Sequence, residues 1–335
     1  MDILKAKEKK KHFISLPVNL DSFLYPIPLL FSMHLSAHTW MRPEPLETTL
    51  RRLSGLGYKS IELAGEPDQY DTDEVRSLLK KYGMTCWGTV TVQHGKRDLL
   101  AADPQQRRDT VEYMKRVAGM AADLGGQIIT VVPGTVGKIV PSSDAEDEWR
   151  WAVEGVREVA LFAEEKGLRV ALEPLNRFET YFLNRVDQAL ALADEVGLGD
   201  VVGVAVDPFH LALEESDLYD AIRRCAGRVY DFHPSDNNRL APGDGCFDWG
   251  RLVAALRGAG YDGALAVECM PPVDRTPVGK YGRVQLEAGG KGVGTMGATE
   301  DQVRFIVDHG SGLLGEEYYT GLFARAAETL RPFTE

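Results

Sequence analysis

Lysine and arginine are scarce against acid in this 335-residue chain, 38 against 50, so the formal net charge is −12. That balance argues against a polyphosphate partner, because binding nucleic acid rests on Lys and Arg neutralising phosphates. Cysteine is scarce too: Cys86, Cys225, Cys246 and Cys269 match no zinc spacing and are too few for a disulfide scaffold in a chain this long. The expectation is reduced thiols in the cytoplasm. No uninterrupted apolar run reaches the ~20 residues that a membrane span needs. The apolar stretch from Phe13 to Phe31 follows a lysine-rich start and resembles a signal peptide, but Pro17, Asn19, Asp21, Pro26 and Pro28 break it. Residues 1–11 read as a solvated basic tail, and 12–28 as an extended arm lying on the rest of the chain. A glycine-rich phosphate loop is also missing: the first strand runs into HLSAHTWMRPEP.

Against these absences stands a repeating pattern. Eight apolar runs rich in β-branched or aromatic residues occur at 29–37, 59–64, 85–92, 126–132, 168–173, 201–207, 228–233 and 263–268. Several are apolar almost throughout, as strands covered on both faces should be. Between them lie helical spacings: Leu46, Leu50, Leu53 and Leu56 before Gly57; Val111, Met114, Val117, Met120 and Ala121 before Gly125; Ala152, Val156, Val159, Ala160 and Ala163 before Gly167. Glycine is the favoured residue just past a helix C-terminus. Further helices are expected over 185–197, 216–226, 248–259 and 316–330. Eight alternations predict an α/β fold, a (β/α)8 TIM barrel, with residues 29–335 forming one domain after the N-terminal tail and arm of 1–28. The rival, a doubly wound open sheet, more typically carries a phosphate loop after its first strand. Residues 269–315, rich in Gly and Pro, break the rhythm and are expected to form a long loop after strand eight, a lid or a partner-binding insertion.

Four polar residues share one position. Glu173 ends the fifth run, Asp207 the sixth, His233 the seventh and Glu268 the eighth. In a TIM barrel the C-terminal strand ends ring the mouth of the active site. Three carboxylates aimed at one point repel unless something neutralises them, and a divalent cation is the simplest answer. Any one of these acids alone reads as a loop ion pair. Three oxygen ligands and one imidazole suit Mn2+, Mg2+ or Co2+, with zinc a further option. His34, His38 and His94 are expected near the ends of strands one and three, on the same face. His94 is a second base, a substrate contact or a solvated loop residue, and Trp40 either walls the pocket or packs in the core.

The flanks of these residues narrow the class. ALEPLNRFE (171–179), VDPFH (206–210), FHPSDNNRLAPGDG (232–245) and YDGALAVE (261–268) resemble the D-tagatose/D-psicose (ketose) 3-epimerases of the xylose-isomerase-like sugar isomerase/epimerase superfamily. The resemblance runs from about residue 45 to 270. It implies one divalent metal ion, Mn2+ first, held by Glu173, Asp207, His233 and Glu268. It also implies that Glu173 and Glu268 are the acid/base pair on opposite faces of a sugar, and that Glu179, His210 and Arg239 hydrogen-bond the sugar near its carbonyl. Alone, Arg239 reads as a surface partner of Asp236 or Asp244, and His210 as a packed histidine. Pro234 and Ser235, and the length of 269–315, depart from the family pattern. A homo-oligomer is expected by the same resemblance.

A second expectation is the large subunit of a C-glycoside deglycosidase, which also resembles this superfamily, cleaves a C–C bond in 3-oxo-C-glycosides and pairs with a small β-rich subunit. The long 269–315 segment and the extra histidines favour it; the intact NRFE and NR motifs favour the epimerase. An apurinic endonuclease, which needs more ligands and a basic face, and a non-catalytic sugar-binding barrel fit less well.

Overall fold

The computed structural model describes residues 33–42, 44–272 and 314–334. Eight strands follow one another: β1 (His34–Ala37), β2 (Ser60–Gly65), β3 (Thr85–Thr91), β4 (Ile128–Val131), β5 (Arg169–Leu172), β6 (Val202–Val206), β7 (Val229–Phe232) and β8 (Ala264–Val267). Each falls on one of the eight apolar runs except that β2 extends one residue further, to Gly65. All ladders are parallel; β2 to β7 pair in sequence order and β1 pairs with β8. The ring closes at its two seams. Lys59 N donates to Leu35 O at 2.9 Å and Thr39 N to Glu62 O at 3.0 Å between β1 and β2, and Glu268 N donates to Pro234 O at 3.2 Å between β7 and β8. This is the closed barrel that the alternation predicts.

Helices cover the strands: α1 (Leu46–Gly55), α2 (Thr72–Tyr82), α3 (Pro104–Asp123), α4 (Ala145–Glu165), α5 (Val186–Val196), α6 (Pro208–Glu214), α7 (Leu218–Arg224), α8 (Trp249–Gly258) and α9 (Glu316–Leu330). Two of them, α2 and α6, are absent from the periodicity reading. In α2 only Val75 and Leu79 are fully buried, so its apolar stripe is thin, and an N-cap carries the start instead: Asp71 accepts from the amides of Asp73 and Glu74. The seven-residue α6 is too short to show a period; Asp207 caps it and Pro208 opens it. At the other ends, Gly57 and Gly125 take positive φ (87° and 73°) just past α1 and α3, the conformation that stops a helix without a Cβ clash.

The main core lies between strands and helices, from Leu35 on β1 round to Phe323 and Leu330 on α9. The lumen is filled as well. Trp87 on β3, Ile128 on β4 and Ala264 on β8 form a separate cluster. Residues 12–28, expected as an arm, lie outside the described residues, as does most of the 269–315 loop. Among the described residues no helix is long and apolar enough to cross a membrane.

Candidate active site

Each of the four singled-out residues is the first one beyond its strand: Glu173 after β5, Asp207 after β6, His233 after β7 and Glu268 after β8. Glu173 N donates to Val131 O and His233 N to Val206 O, so the ladder continues into these positions and fixes their backbones. All four are buried. His233 Nδ1 lies 2.9 Å from Glu173 Oε1 and 3.8 Å from Glu268 Oε2. Asp207 joins through Arg239, whose Nη1 bonds the Asp207 carboxylate while Nη2 reaches Glu268 Oε2 at 2.9 Å. The strand-end residues therefore converge on one point.

Arg239 is the half-buried cation of this group. It sits in the loop after β7 at φ 63°, the one non-glycine residue with positive φ among those described, and its guanidinium lies 4.8 Å from the Phe209 ring centroid. It pairs with neither Asp236 nor Asp244, the partners a surface reading gives it; Asp244 pairs with Arg325 instead. His210, on α6, is one residue of a second polar chain. Its Nε2 lies 3.6 Å from Asp207 Oδ2, and Nδ1 accepts from Asn176 N at 3.2 Å. The Asn176 side-chain amide also donates to Glu179 Oε1 at 2.8 Å. The NRFE motif thus contributes Asn176 and Glu179 to the same wall.

These residues face a cavity with a mixed lining. Glu173, Glu179, His210, Arg239 and Glu268 give its polar lining, with Thr91; Trp40, Val90, Val92, Val132, Val136 and Leu175 give its apolar lining. His94, on the loop after β3, is outside that lining: it lies 3.6 Å from Glu66, which directly follows β2 and is bound by both terminal nitrogens of Arg97. His34 is misplaced by the sequence reading. It opens β1 rather than ending it, bonds Ser60 at 2.9 Å and packs edge-on to Trp87, at the opposite end of the barrel. The reason is the short strand: four residues carry the chain from one end to the other.

Below the four lies a layer that no motif announced. Asp231, in the middle of the apolar run RVYDFH, bonds His233 Nε2 at 2.8 Å, and Glu62, inside β2, lies 3.4 Å from the same nitrogen. An acid inside an otherwise apolar strand was the available signal.

Burial and crowding of like charge set the protonation of the group. Burial pushes Glu268 well above the usual carboxylate range; Glu173 and Asp207 add to the rise and Arg239 opposes it. Asp207 goes the other way: burial raises it, but Arg239, His210 and His233 together hold it below its usual value. His233 is raised despite burial, by Glu173, Asp231 and Glu62. Glu62 is pushed up to about 8 by burial and by the adjacent Asp231 charge. Donor atoms of Glu173, Asp207 and His210 lie within 4.8 Å of one another, as do those of His38, His233 and Glu268, so the four strand-end residues are divided between two candidate donor clusters.

The family described as the xylose isomerase-like TIM barrel matches residues 50–280. The chain belongs to that family. Among curated relatives, a D-psicose 3-epimerase from Enterocloster bolteae is 30% identical over 227 residues, 65% of this chain and 74% of the relative. A 3-dehydro-D-guloside 4-epimerase from Escherichia coli is 26% identical over 235 residues, 68% of this chain and 87% of the relative. Among solved structures, an L-ribulose 3-epimerase superposes with a TM-score of 0.73 at 21% identity, over 90% of this chain and 94% of that one. The structural likeness carries the barrel, and the sequence relatives carry the family.

Proposed function

We propose that this chain is a divalent-cation-dependent sugar epimerase that moves a proton at the carbon next to a sugar carbonyl, in the manner of a ketose 3-epimerase. The observation that carries the reading is the convergence of Glu173 and Glu268 from β5 and β8 on one imidazole nitrogen, 2.9 and 3.8 Å away, at the wall of a cavity. Relatives named as epimerases of psicose and ribulose support it.

The donor set fits a cation. Glu173, Asp207 and Glu268 bring three carboxylates and His233 one imidazole into a buried group whose permanent positive charge, among the described residues, comes from Arg239. Oxygen-rich donors suit Mn2+ first, with Co2+ or Mg2+ as alternatives. When bound, the cation supplies positive charge beside the carbonyl oxygen, which makes the neighbouring C–H more acidic. The rest of the work belongs to the chain. Glu173 and Glu268 act as a base and an acid on opposite faces of the sugar: one takes the proton at C3 and the other returns one from the far side. Arg239 and His210 donate to the oxygen that gains negative charge, and Glu179, held by Asn176, orients a hydroxyl. Trp40 walls the sugar pocket.

A second reading has one observation in its favour. The apolar part of the lining, Trp40 with Val90, Val92, Val132, Val136 and Leu175, suits a substrate that continues into an aglycone. The relative named 3-dehydro-D-guloside 4-epimerase points the same way. On this reading the proton step acts on an oxo-glycoside, and a deglycosidase outcome requires a small second subunit; on the first reading the chain works as a homo-oligomer.

Deuterium uptake from D2O into a panel of free ketoses and 3-oxo-C-glycosides, with Mn2+ present, tests both. Label at C3 of a ketose with its epimer appearing establishes the first reading. Label only in the oxo-glycoside, or release of its aglycone, moves the assignment to the second. No label in any of them removes both.

A further inference from the structure

His233 is held from two sides. Nδ1 faces Glu173 and Glu268, and Nε2 faces Asp231 and Glu62, which are not among the proposed cation ligands. Asp231 is itself locked. Its Oδ1 accepts from Trp87 Nε1 at 3.0 Å and from the Phe232 amide at 2.9 Å; its Oδ2 accepts from Thr130 Oγ1 at 2.7 Å and lies 2.8 Å from His233 Nε2. Trp87 is on β3, Thr130 on β4 and Asp231 on β7. Neither β3 nor β4 borders β7, so these bonds cross the lumen. The carboxylate is fully buried and cannot swing away to water.

A neutral imidazole has one N–H and one lone pair, and the bond made by one nitrogen decides what the other offers. A carboxylate accepts and does not donate. Carboxylates face both nitrogens, but Glu173 and Glu268 on the Nδ1 side are proposed cation ligands, so a cation would take the place of the Nδ1 proton while Asp231 keeps the N–H on Nε2.

We propose that Asp231, clamped by Trp87 and Thr130 across the barrel lumen, is a positioning residue that sets the tautomer of His233 so that Nδ1 presents its lone pair to the cation site. Glu62 backs this arrangement. Neither of its carboxylate oxygens makes a hydrogen bond, and both are buried. It faces His233 Nε2 at 3.4 Å and His38 Nε2 at 3.6 Å. Trp40 Nε1 donates to His38 Nδ1 at 3.2 Å, which places the His38 proton on Nε2, toward Glu62. Both rings thus turn an N–H at the Glu62 and Asp231 pair. The pair is a receptor for two imidazole N–H groups rather than a second cation site, although its donor atoms cluster closely enough to hold one.

The proposal rests on the cation reading above, and the experiment separates the two. Asp231→Asn is nearly isosteric. Its amide can keep an oxygen toward Trp87, but it turns an NH2 toward Nε2, which drives the His233 proton to Nδ1. The full-length chain, stripped of metal, is titrated with Mn2+ by calorimetry. The 15N shifts of its seven histidines, assigned with a His233→Gln variant, report the tautomer. Expected for wild type is a loss of the Nδ1 proton of His233 on adding Mg2+ or Zn2+, with the proton on Nε2 kept. Expected for Asp231→Asn is a folded chain whose Mn2+ affinity falls by about 10- to 100-fold, the usual effect of losing a partner behind a ligating histidine. Thr130→Val, which keeps the carboxylate, should keep the tautomer and lose less affinity. A merely structural Asp231 would lower thermal stability and leave the tautomer unchanged. Mn2+ affinity unchanged in Asp231→Asn, or a cation-bound wild-type His233 with no proton on Nε2, overturns the proposal. The wild-type tautomer decides even where the variant does not fold. Failure of wild type to bind Mn2+ at all overturns the cation reading and the proposal with it.

Discussion

Arg239 Nη2 lies 2.9 Å from Glu268 Oε2, and Nη1 of the same guanidinium bonds Asp207, so one side chain joins two strand-end carboxylates from β6 and β8. Without a bound cation this arginine is the main compensation for their charge. Removing one member of a buried ion pair costs about 3–5 kcal/mol. Arg239→Ala is therefore expected to melt several degrees below wild type without metal. With Mn2+ added, much of that gap should close, because the cation takes over the compensation. Calorimetric melting with and without Mn2+ checks this; an equal gap in both conditions contradicts it.

Glu268→Gln keeps the shape of the side chain and removes its proton-transfer role. Turnover on whichever substrate the D2O panel identifies should fall by about 10²–10⁴-fold, the usual worth of a positioned acid or base. The circular dichroism spectrum should stay that of wild type. Normal turnover would sink the acid/base assignment.

Exhaustive chelation should abolish activity, and Mn2+ or Co2+ should restore it. The measurement is turnover against added metal after dialysis. Full activity in a chain shown by elemental analysis to be metal-free would leave the four residues without the role proposed.

Away from the site, Glu44 gives a pH dependence. Its carboxylate lies 2.9 Å from Arg52 Nη2 and accepts from Thr49 Oγ1 at 2.7 Å. Burial raises its pKa, but Arg52 and Thr49 outweigh burial and hold it below the usual carboxylate value. A carboxyl depressed in the folded state stabilises above its unfolded pKa of about 4.3, and that stability is lost as pH falls through the lower folded value. Glu44→Ala should lower stability by about 3 kcal/mol at neutral pH. The gap to wild type should narrow below pH ~4 in urea melts.

Gly203 tests the packing of the barrel wall. A Cβ there would lie 2.5 Å from the Arg228 carbonyl oxygen and 2.6 Å from a ring carbon of Tyr230. The backbone cannot yield as a side chain can, so Gly203→Ala should cost about 1–3 kcal/mol, read as a lower melting temperature.

The eight strands were legible because each is an apolar run with a long connection after it, and burial on both faces demands that composition. The four strand-end polar residues were legible for a related reason: Glu173, Asp207, His233 and Glu268 each break an apolar run at its end, about one strand–helix unit from the next. The sequence by itself therefore determined the barrel and which residues its mouth gathers. It did not determine what lies beneath them. Asp231 and Glu62 look like single charged residues in apolar strands, and only closing the ring brings Trp87 and Thr130 to Asp231 from across the lumen. The end of the barrel that His34 faces was likewise decided by where β1 begins, and the partners of Arg239 by how its loop turns back over the strand ends. Local pattern sets which face of a strand or helix is buried. Which buried groups meet depends on contacts between strands far apart in the chain, and that depends on the closed ring.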